Sequence, residues 1–295
     1  MEPTVPDKRR LALARYVEEL ESLSPPALLD GPPFLYDACP LIKKVAWRTP
    51  SLVAEPLVEG ELRELTNTLN KWRGALRRWY AWLSVLEGFS DDDAWDLQWE
   101  FVESIAFQCL FYPSATRDRF TFVATNTLHQ VRMTEDAAYP DRLASDPKPG
   151  KEDKSRFLSR RESEAQLKAI AAVLDEGAAF TALLSLIDED DYLALTSNFR
   201  NLASHAIAPR LTVGHTNMVV RRVVPATQMV QQPDGTFKDE PMPGKQHVSY
   251  RFGGTDPLQM RTVFAANLAE FEKASASFHA YVNVLNKALA KLPRH

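Results

Sequence analysis

A stripe of apolar residues between Glu61 and Glu87 is the strongest pattern in the chain. Its members follow one another in steps of three and four residues, which is the spacing of one face of an α-helix. They are Leu62, Leu65, Leu69, Trp72, Leu76, Trp79, Leu83 and Leu86. The same spacing predicts helices over residues 161–175 and 178–187, and a long C-terminal helix that starts at Asp256-Pro257. The chain is therefore predicted to be mainly α.

Capping residues and prolines predict where several helices begin and end. Residues 90–93, Ser-Asp-Asp-Asp, predict an N-cap and an acidic first turn. Pro113 is expected to end the helix that follows, and a separate helix is expected after it, as far as Val131. Residues 189–191 predict the start of another helix, which continues through Leu202.

A later part of the chain has a different pattern. Residues 211–213, 218–224 and 247–252 are β-branched or alternate between apolar and polar side chains, which is typical of strands. Residues 232–236, Gln-Pro-Asp-Gly-Thr, predict a turn between two of these stretches. A small antiparallel β-hairpin is therefore expected around residues 210–253, inserted between helices.

These elements predict two regions. Residues 1–56 form a short helix over residues 7–23 followed by a proline-rich arm, and residues 57–295 form a helical domain that contains the β-insert. Residues 134–160 are charged and include three prolines and a glycine. They are expected to form a flexible surface loop.

Composition and charge limit the classes of function. The net charge of −4 argues against a protein that coats nucleic acid through bulk positive charge, so any RNA contact needs a local basic patch. Cys39 and Cys109 are the only cysteines, which predicts neither a thiolate zinc site nor a disulfide framework. Because the N-terminus has no apolar leader segment and no stretch approaches about 18 apolar residues, a cytoplasmic protein with no membrane segment is expected.

Common catalytic motifs are not found in the sequence. The six histidines form no HxH, HxxxH or HExxH pattern, which argues against a zinc hydrolase. The sequence has no GxxxxGK[ST], GxGxxG or GxSxG motif, which argues against nucleotide-binding and α/β-hydrolase classes. No metal and no cofactor is predicted.

One polar cluster, formed by Arg200, Asn201, Ser204 and His205, lies near the end of a predicted helix. RNA cleavage by its own 2′-OH requires removal of that proton, stabilisation of phosphoryl charge, and protonation of the leaving oxygen. A histidine transfers protons near neutral pH, and an arginine presents a fork of donors that matches phosphate oxygens. Asn201, or more weakly Ser204, can donate to a phosphate or orient the imidazole. The cluster can therefore support metal-independent phosphodiester cleavage.

The stretch Arg200-Asn201-Leu202-Ala203-Ser204-His205 resembles the RNxxxH form of the Rx4–6H motif of the HEPN-domain superfamily. The resemblance implies an antiparallel helical bundle and a metal-independent endoribonuclease that works as a homodimer. Its catalytic residues would be Arg200, Asn201 and His205. It also implies a toxin or phage-defence effector, with a cognate antitoxin or a defence-system partner. The N-terminal arm and the β-insert have no place in the minimal family pattern.

Four further side chains are predicted to bind RNA phosphates. They are Ser204, Arg210, Arg221 and Arg222, and Arg251 could join them. On a regular helix Arg200 and His205 lie roughly 140° apart. The two groups would converge best if the helix ends near His205, or if a second subunit completes the cleft.

Other interpretations of the same residues stay open. Arg200, Asn201 and His205 could cap the carbonyls of a helix C-terminus. A non-catalytic HEPN-like scaffold could bind RNA, nucleotide or a protein, and a metal-dependent or small-ligand enzyme could use His129, His205 or His215. His129, with Arg119 and Asn126 at helical spacing, is better explained as a satisfied buried histidine. Five tryptophans at helical spacing predict core packing rather than a platform for bases. They are Trp72, Trp79, Trp82, Trp95 and Trp99.

Overall fold

The computed structural model describes residues 5–22, 25–49, 51–147 and 156–295. The described helices are α1 (Val5–Ser22), α2 (Ala27–Asp30), α3 (Ser51–Leu86), α4 (Asp91–Leu97), α5 (Glu103–Glu135), α6 (Arg160–Ala171), α7 (Gly177–Ser185), α8 (Asp190–Leu195), α9 (Phe199–His205) and α10 (Met260–Lys291). A 3₁₀ turn spans Pro40–Lys44 and a π-helical turn spans Gln98–Val102. Strands β1 (Val219–Gln231) and β2 (Phe237–Phe252) form one antiparallel sheet. The predicted mainly α fold with a small antiparallel hairpin is confirmed.

The chain divides into two compact units. The first, called here the helical unit, comprises Met1–Thr196 and Arg261–His295. The second, called here the ribbon unit, comprises Ser197–Met260. The sequence predicted an insertion around 210–253, but the second unit begins before that. It therefore includes α9 and the whole Arg200–His205 motif.

The core of the helical unit is built on the predicted apolar stripe. From Leu62 to Leu83 all seven of its members are buried within α3. The Phe271 ring of α10 packs edge-on against the Trp72 indole, with ring centroids 5.3 Å apart. Both side chains are fully buried. The steps of three and four residues thus mark the face of α3 that packs into the core.

Helix α5 runs unbroken through Pro113, so the prediction that this proline ends a helix is wrong. Proline has no N–H, which leaves the carbonyl of Cys109, four residues earlier, without its helical donor. The buried Asn267 of α10 donates its Nδ2 to that carbonyl at 2.7 Å. Asn267 also donates to the Tyr192 hydroxyl and accepts from the Trp72 indole N–H. A distant amide therefore replaces the bond that the proline removes.

The helix predicted from residues 189–191 through Leu202 is also interrupted. Helix α8 ends at Leu195 and α9 begins at Phe199. Between them Ser197 and Asn198 adopt left-handed backbone angles, with φ of 50° and 51°. Asparagine tolerates this conformation better than most residues, and it ends helices. The apolar spacing alone did not show this break, which coincides with the start of the ribbon unit.

The N-terminal helix and the predicted N-cap are both observed. Helix α1 covers the described part of the predicted 7–23 helix. Its Tyr16 ring stacks on Trp82 at 4.7 Å between centroids, and the Lys8 ammonium binds the Asp93 carboxylate at 2.6 Å. The Ser90 side chain accepts the Asp93 backbone N–H, as its position before α4 predicted. The arm after α1 therefore belongs to the helical unit.

Two of the five tryptophans depart from the core prediction. Trp72, Trp79 and Trp82 are buried, but Trp95 and Trp99 are 44% and 56% exposed. Their rings stack on each other with centroids 6.2 Å apart. The π-helical turn that follows α4 adds a residue to the helical cycle. This extra residue rotates the side chains of α4 relative to those of α5 about the helix axis. A residue spacing that buries one face of α5 therefore leaves Trp95 and Trp99 exposed.

The predicted flexible loop over residues 134–160 lies partly outside the described residues, which omit 148–155. Its described first part is attached to the bundle by Arg48. That guanidinium donates to the carbonyls of Met133, Asp136 and Tyr139.

None of the described helices has the length and apolar character that crossing a bilayer requires.

Candidate functional site

The predicted motif lies entirely within α9, the seven-residue helix of the ribbon unit. The Asn198 carbonyl accepts the backbone N–H groups of Asn201 and Leu202, both at 3.1 Å, and so starts the helix. The helix ends at His205, because Ala206 leaves the helical conformation with φ −147° and ψ −136°. A helix end near His205 is one of the two conditions under which the sequence analysis expected His205 and Arg200 to converge, the other being a second subunit.

The polar residues of the motif share one side of α9. At roughly 100° per residue, Arg200, Ser204, Asn201 and His205 follow one another across an arc of about 140°. Within this arc Arg200 neighbours Ser204, and Asn201 neighbours His205, each pair being four residues apart. All four side chains are exposed, whereas Phe199 on the opposite side is buried. The motif therefore presents a continuous polar surface, called here the α9 polar face.

The α9 polar face is available for a ligand. Within the described part of the chain, none of its four side chains makes a hydrogen bond or an ion pair. The alternative in which Arg200, Asn201 and His205 cap helix carbonyls is therefore not observed. His205 still occupies the last turn, where a protonated imidazole interacts favourably with the helix dipole.

The ribbon unit differs in charge from the whole chain. It contains seven lysines and arginines against four aspartates and glutamates, a net charge of +3, although the chain is net −4. Three of its acidic residues lie in the hairpin, Asp234 in the turn and Asp239 and Glu240 near the start of β2. The unit that carries the motif is therefore net basic, unlike the chain as a whole.

The two predicted RNA-contacting arginines of the hairpin point to opposite faces. The register pairs Arg221 with Tyr250 and Arg222 with Ser249, and neighbouring residues of a strand alternate between faces. Arg222 instead shares its face with His247 and Arg251, each diagonally across from it. Arg221 and Arg222 are therefore both exposed, but they do not form one patch.

His129 has a structural environment. It is 3% exposed, and its Nδ1 and Nε2 lie 3.1 Å and 3.0 Å from the Tyr139 hydroxyl and an Asp141 carboxylate oxygen. Asn126 from the same predicted group donates instead to Glu61. A buried imidazole with partners on both nitrogens joins α5 to the segment that follows it, the role that the sequence pattern favoured.

The two cysteines and His215 also have nucleophilic or metal-binding chemistry. Burial raises the pKa of the Cys39 thiol to about 12, and burial also raises the pKa of Cys109, so both stay protonated near neutral pH. His215 in the ribbon unit lies 3.3 Å from the Asp256 carboxylate. Among the residues described, no group of three histidine, cysteine or acidic side chains is placed to hold a metal.

No family model, curated protein or solved structure matches this chain. The resemblance to HEPN domains therefore rests on the six residues of the motif and on the mainly α fold.

Sequence reasoning missed two exposed aromatic side chains, Tyr250 and Phe252 of β2, which are 67% and 92% exposed. They occupy alternate positions of a predicted strand, so the period-two pattern already placed them on one face. The signal is in the sequence, because both residues lie within the predicted strand over residues 247–252.

Proposed function

We propose that this protein is a metal-independent endoribonuclease of HEPN type that acts as a homodimer. The observation that supports the proposal is the α9 polar face, where Arg200, Asn201, Ser204 and His205 are exposed and have no side-chain partner among the residues that the structure describes. The net positive charge of the ribbon unit favours a polyanionic substrate. His205 is the proton-transfer group, Arg200 binds the scissile phosphate, and Asn201 orients its neighbour His205.

The proposed reaction is attack of the RNA 2′-oxygen on the adjacent phosphorus. A neutral His205 imidazole accepts the 2′-OH proton as the O2′–P bond forms. The P–O5′ bond breaks, and the His205 imidazole, now protonated, gives this proton to the leaving 5′-oxygen. Arg200 neutralises the charge that builds on the phosphoryl oxygens. The products are a 2′,3′-cyclic phosphate and a 5′-hydroxyl, and no metal or cofactor takes part.

The same geometry supports the proposed homodimer. Helix α9 supplies one arginine and one histidine to the reaction. These two residues mark opposite ends of the polar arc, roughly 140° apart. A two-fold axis beside α9 would place Arg200 of one subunit next to His205 of the other, at each of two equivalent sites. Each subunit would then contribute to both sites.

The first experiment tests the role of His205. Purified wild-type protein and His205→Ala are incubated with a labelled single-stranded RNA in EDTA. Loss of a general acid or base predicts a rate lower by about a hundredfold or more. His215→Ala is the matched control, because it removes another exposed histidine of the same unit and should leave cleavage unchanged. Equal rates for wild type and a folded His205→Ala protein would refute the assignment.

A second experiment tests the shared site. Arg200→Ala and His205→Ala are each expected to be inactive alone. If each site combines Arg200 of one subunit with His205 of the other, mixed dimers contain one intact site. Random mixing then restores roughly a quarter of the wild-type rate. No recovery after subunit exchange would show that the two residues act within one chain.

One observation favours a second candidate function, RNA binding without cleavage. The motif belongs to the ribbon unit, whereas the HEPN resemblance implies a motif within the helical bundle. A non-catalytic protein would keep the basic unit and bind RNA without degrading it. Retention of labelled RNA on the protein, with no product after long incubation in EDTA, would favour this function.

The resemblance also supports a biological role as a toxin or phage-defence effector with a cognate antitoxin or a defence-system partner. Expression of the wild-type chain is then expected to arrest growth of a bacterial host, and His205→Ala is expected to relieve the arrest. Equal toxicity of both proteins at equal expression would argue against a nuclease toxin.

A further inference from the structure

The hairpin formed by β1 and β2, called here the ribbon, is exposed along both of its faces. Its base half pairs residues 219–225 with 246–252, and a register shift after Pro225 separates this half from the tip half. The base half contains Arg221, Arg222 and Arg251 and no acidic residue. The tip half and its turn contain the acidic residues Asp234, Asp239 and Glu240. Positive charge is therefore concentrated in the base half.

Register and alternation assign the base-half side chains to two faces. The basic face carries Arg222, His247 and Arg251, with Val220, Val224 and Ser249. The other face, called here the aromatic face, carries Val219, Arg221, Val223, Val248, Tyr250 and Phe252. Its two rings are among the most exposed large side chains of the described chain. Arg221 lies directly opposite Tyr250 and next to the pair Val219–Phe252.

We propose that the aromatic face binds single-stranded RNA, with bases stacked on Tyr250 and Phe252 and a phosphate held by Arg221. The rings stand two residues apart on one strand, about 6.6 Å along it, which places two separate rings in reach of one strand of RNA. Exposed aromatic residues on a sheet surface are a general means of binding unpaired bases. The inference rests on the proposed function in one respect, since RNA is the substrate proposed there.

Charge argues against a second copy of the chain as the occupant of this face. Two aromatic faces packed together would bring Arg221 of both copies into one interface, because the residue lies in the middle of the face. The face has no carboxylate that could neutralise either guanidinium. Burying such unpaired charges is costly. A nucleic-acid strand supplies the missing negative charge along with apolar ring surfaces.

The basic face extends the same site. Arg222 and Arg251 are exposed diagonal neighbours, and His247 lies on the other diagonal from Arg222. These side chains can hold phosphates that pass round the edge of the ribbon, without reading bases. The aromatic face therefore stacks bases, and the basic face neutralises phosphate charge.

The test measures binding of a fluorescein-labelled 2′-O-methyl RNA of about 15 nucleotides, within the range that single-strand sites cover. This RNA lacks the attacking hydroxyl, so it cannot be cleaved by the proposed reaction. The full-length protein is titrated with the single strand and with the matching duplex. Tyr250→Ala with Phe252→Ala is expected to weaken single-strand binding by about tenfold or more per ring and duplex binding by about twofold or less.

Two matched variants separate stacking from charge. Phe237→Ala removes an exposed ring from the tip half and should leave affinity unchanged. The double variant Arg222→Gln, Arg251→Gln should weaken the binding of the single strand and of the duplex by similar factors. For the single strand, the slope of log affinity against log salt concentration should become less steep by about 0.7 per lost phosphate contact. Circular dichroism confirms that each variant is folded.

Several results would overturn the inference. Unchanged single-strand affinity in the Tyr250→Ala and Phe252→Ala protein would exclude stacking on this face. Conversion of an oligomer to monomer in that protein, with RNA affinity intact, would assign the face to contact between copies. The proposed nuclease is judged separately with cleavable RNA. Ring-dependent binding without cleavage refutes the nuclease alone, and His205-dependent cleavage without ring-dependent binding refutes the ribbon site alone.

Discussion

The helical unit and the ribbon unit place the same residue types in opposite environments. Phe271 and Asn267 of α10 are fully buried and in contact with several partners. Phe252 and Asn201 of the ribbon unit are exposed, and the amide of Asn201 has no partner among the described residues. A buried polar group without a partner is costly, but an exposed one is solvated and remains free to bind a ligand. The comparison indicates that buried contacts of the helical unit stabilise the fold, and it is the exposed groups of the ribbon unit that we propose as the ligand-binding groups.

The largest expected effect comes from truncating the same aromatic residue in each unit. Phe271→Ala should lower the free energy of unfolding by about 3–5 kcal/mol, because it opens a cavity beside the fully buried Trp72. Phe252→Ala should change it by less than about 0.5 kcal/mol, since the ring is already in water. Urea unfolding followed by circular dichroism measures both. A comparable loss in Phe252→Ala would mean that the ring packs against something in solution.

A pair of asparagines gives the next largest effect. Asn267→Ala removes the partner of the Trp72 indole N–H and of the Cys109 carbonyl. It should lower the free energy of unfolding by about 2–4 kcal/mol. Asn201→Ala should leave stability within about 0.5 kcal/mol, because no hydrogen bond is lost. It should nevertheless slow RNA cleavage if the residue orients His205. Equal destabilisation by the two substitutions would contradict the division between the units.

Pro113 allows the role of Asn267 to be measured more sharply. Pro113→Ala restores an N–H that can donate to the Cys109 carbonyl within α5. In the Pro113→Ala background, Asn267→Ala should lower the free energy of unfolding by about 1 kcal/mol less than in the wild type. The reason is that the Cys109 carbonyl then has a helical donor and does not depend on Asn267. The four unfolding free energies form a double-mutant cycle. Strict additivity would show that the amide does not compensate for the proline.

Sequence reasoning succeeded where the determining contacts are local. The stripe from Leu62 to Leu83 repeats within one helix, and the Ser90 cap involves its own first turn, so both could be predicted. Pro113 was misjudged because its compensating group, Asn267, is 158 residues from the Cys109 carbonyl that it binds. No pattern around the proline contains that information.

The candidate site was predictable in part. The Arg200–His205 spacing is a property of the sequence itself, and the motif was expected near the end of a helix, which ends at His205 in the structure. The break at Ser197 and Asn198 was not, because Leu195, Phe199 and Leu202 continue the apolar spacing across it. The placement of the motif in the ribbon unit depends on that break. The placement of the motif therefore results from the backbone conformation of Ser197 and Asn198, which the apolar spacing does not predict.

The smallest expected effect compares two carboxylates, one in each unit, whose pKa values are lowered. A hydrogen bond from Lys8, and then one from Ser90, lowers the pKa of Asp93 in the helical unit. Hydrogen bonds from the hydroxyl and the backbone N–H of Thr236 lower the pKa of Asp234 in the ribbon turn. A carboxylate with a lowered pKa stabilises the fold at pH values above its unfolded pKa of about 4, and this stabilisation is lost as the pH falls through the folded-state value.

Asp93→Asn should therefore slightly reduce the acid sensitivity of global unfolding, because Asp93 joins α1 to α4. Asp234→Asn should leave the global transition unchanged and act only on the turn, where the Thr236 amide donates to Asp234 at 3.0 Å. Thermal melts at pH values from about 6 down to about 3 span the titration of both groups. Amide hydrogen exchange at Thr236 measures the local effect. If Asp234→Asn instead shifts the global transition as much as Asp93→Asn, the two units unfold together and the ribbon contributes to the stability of the whole chain.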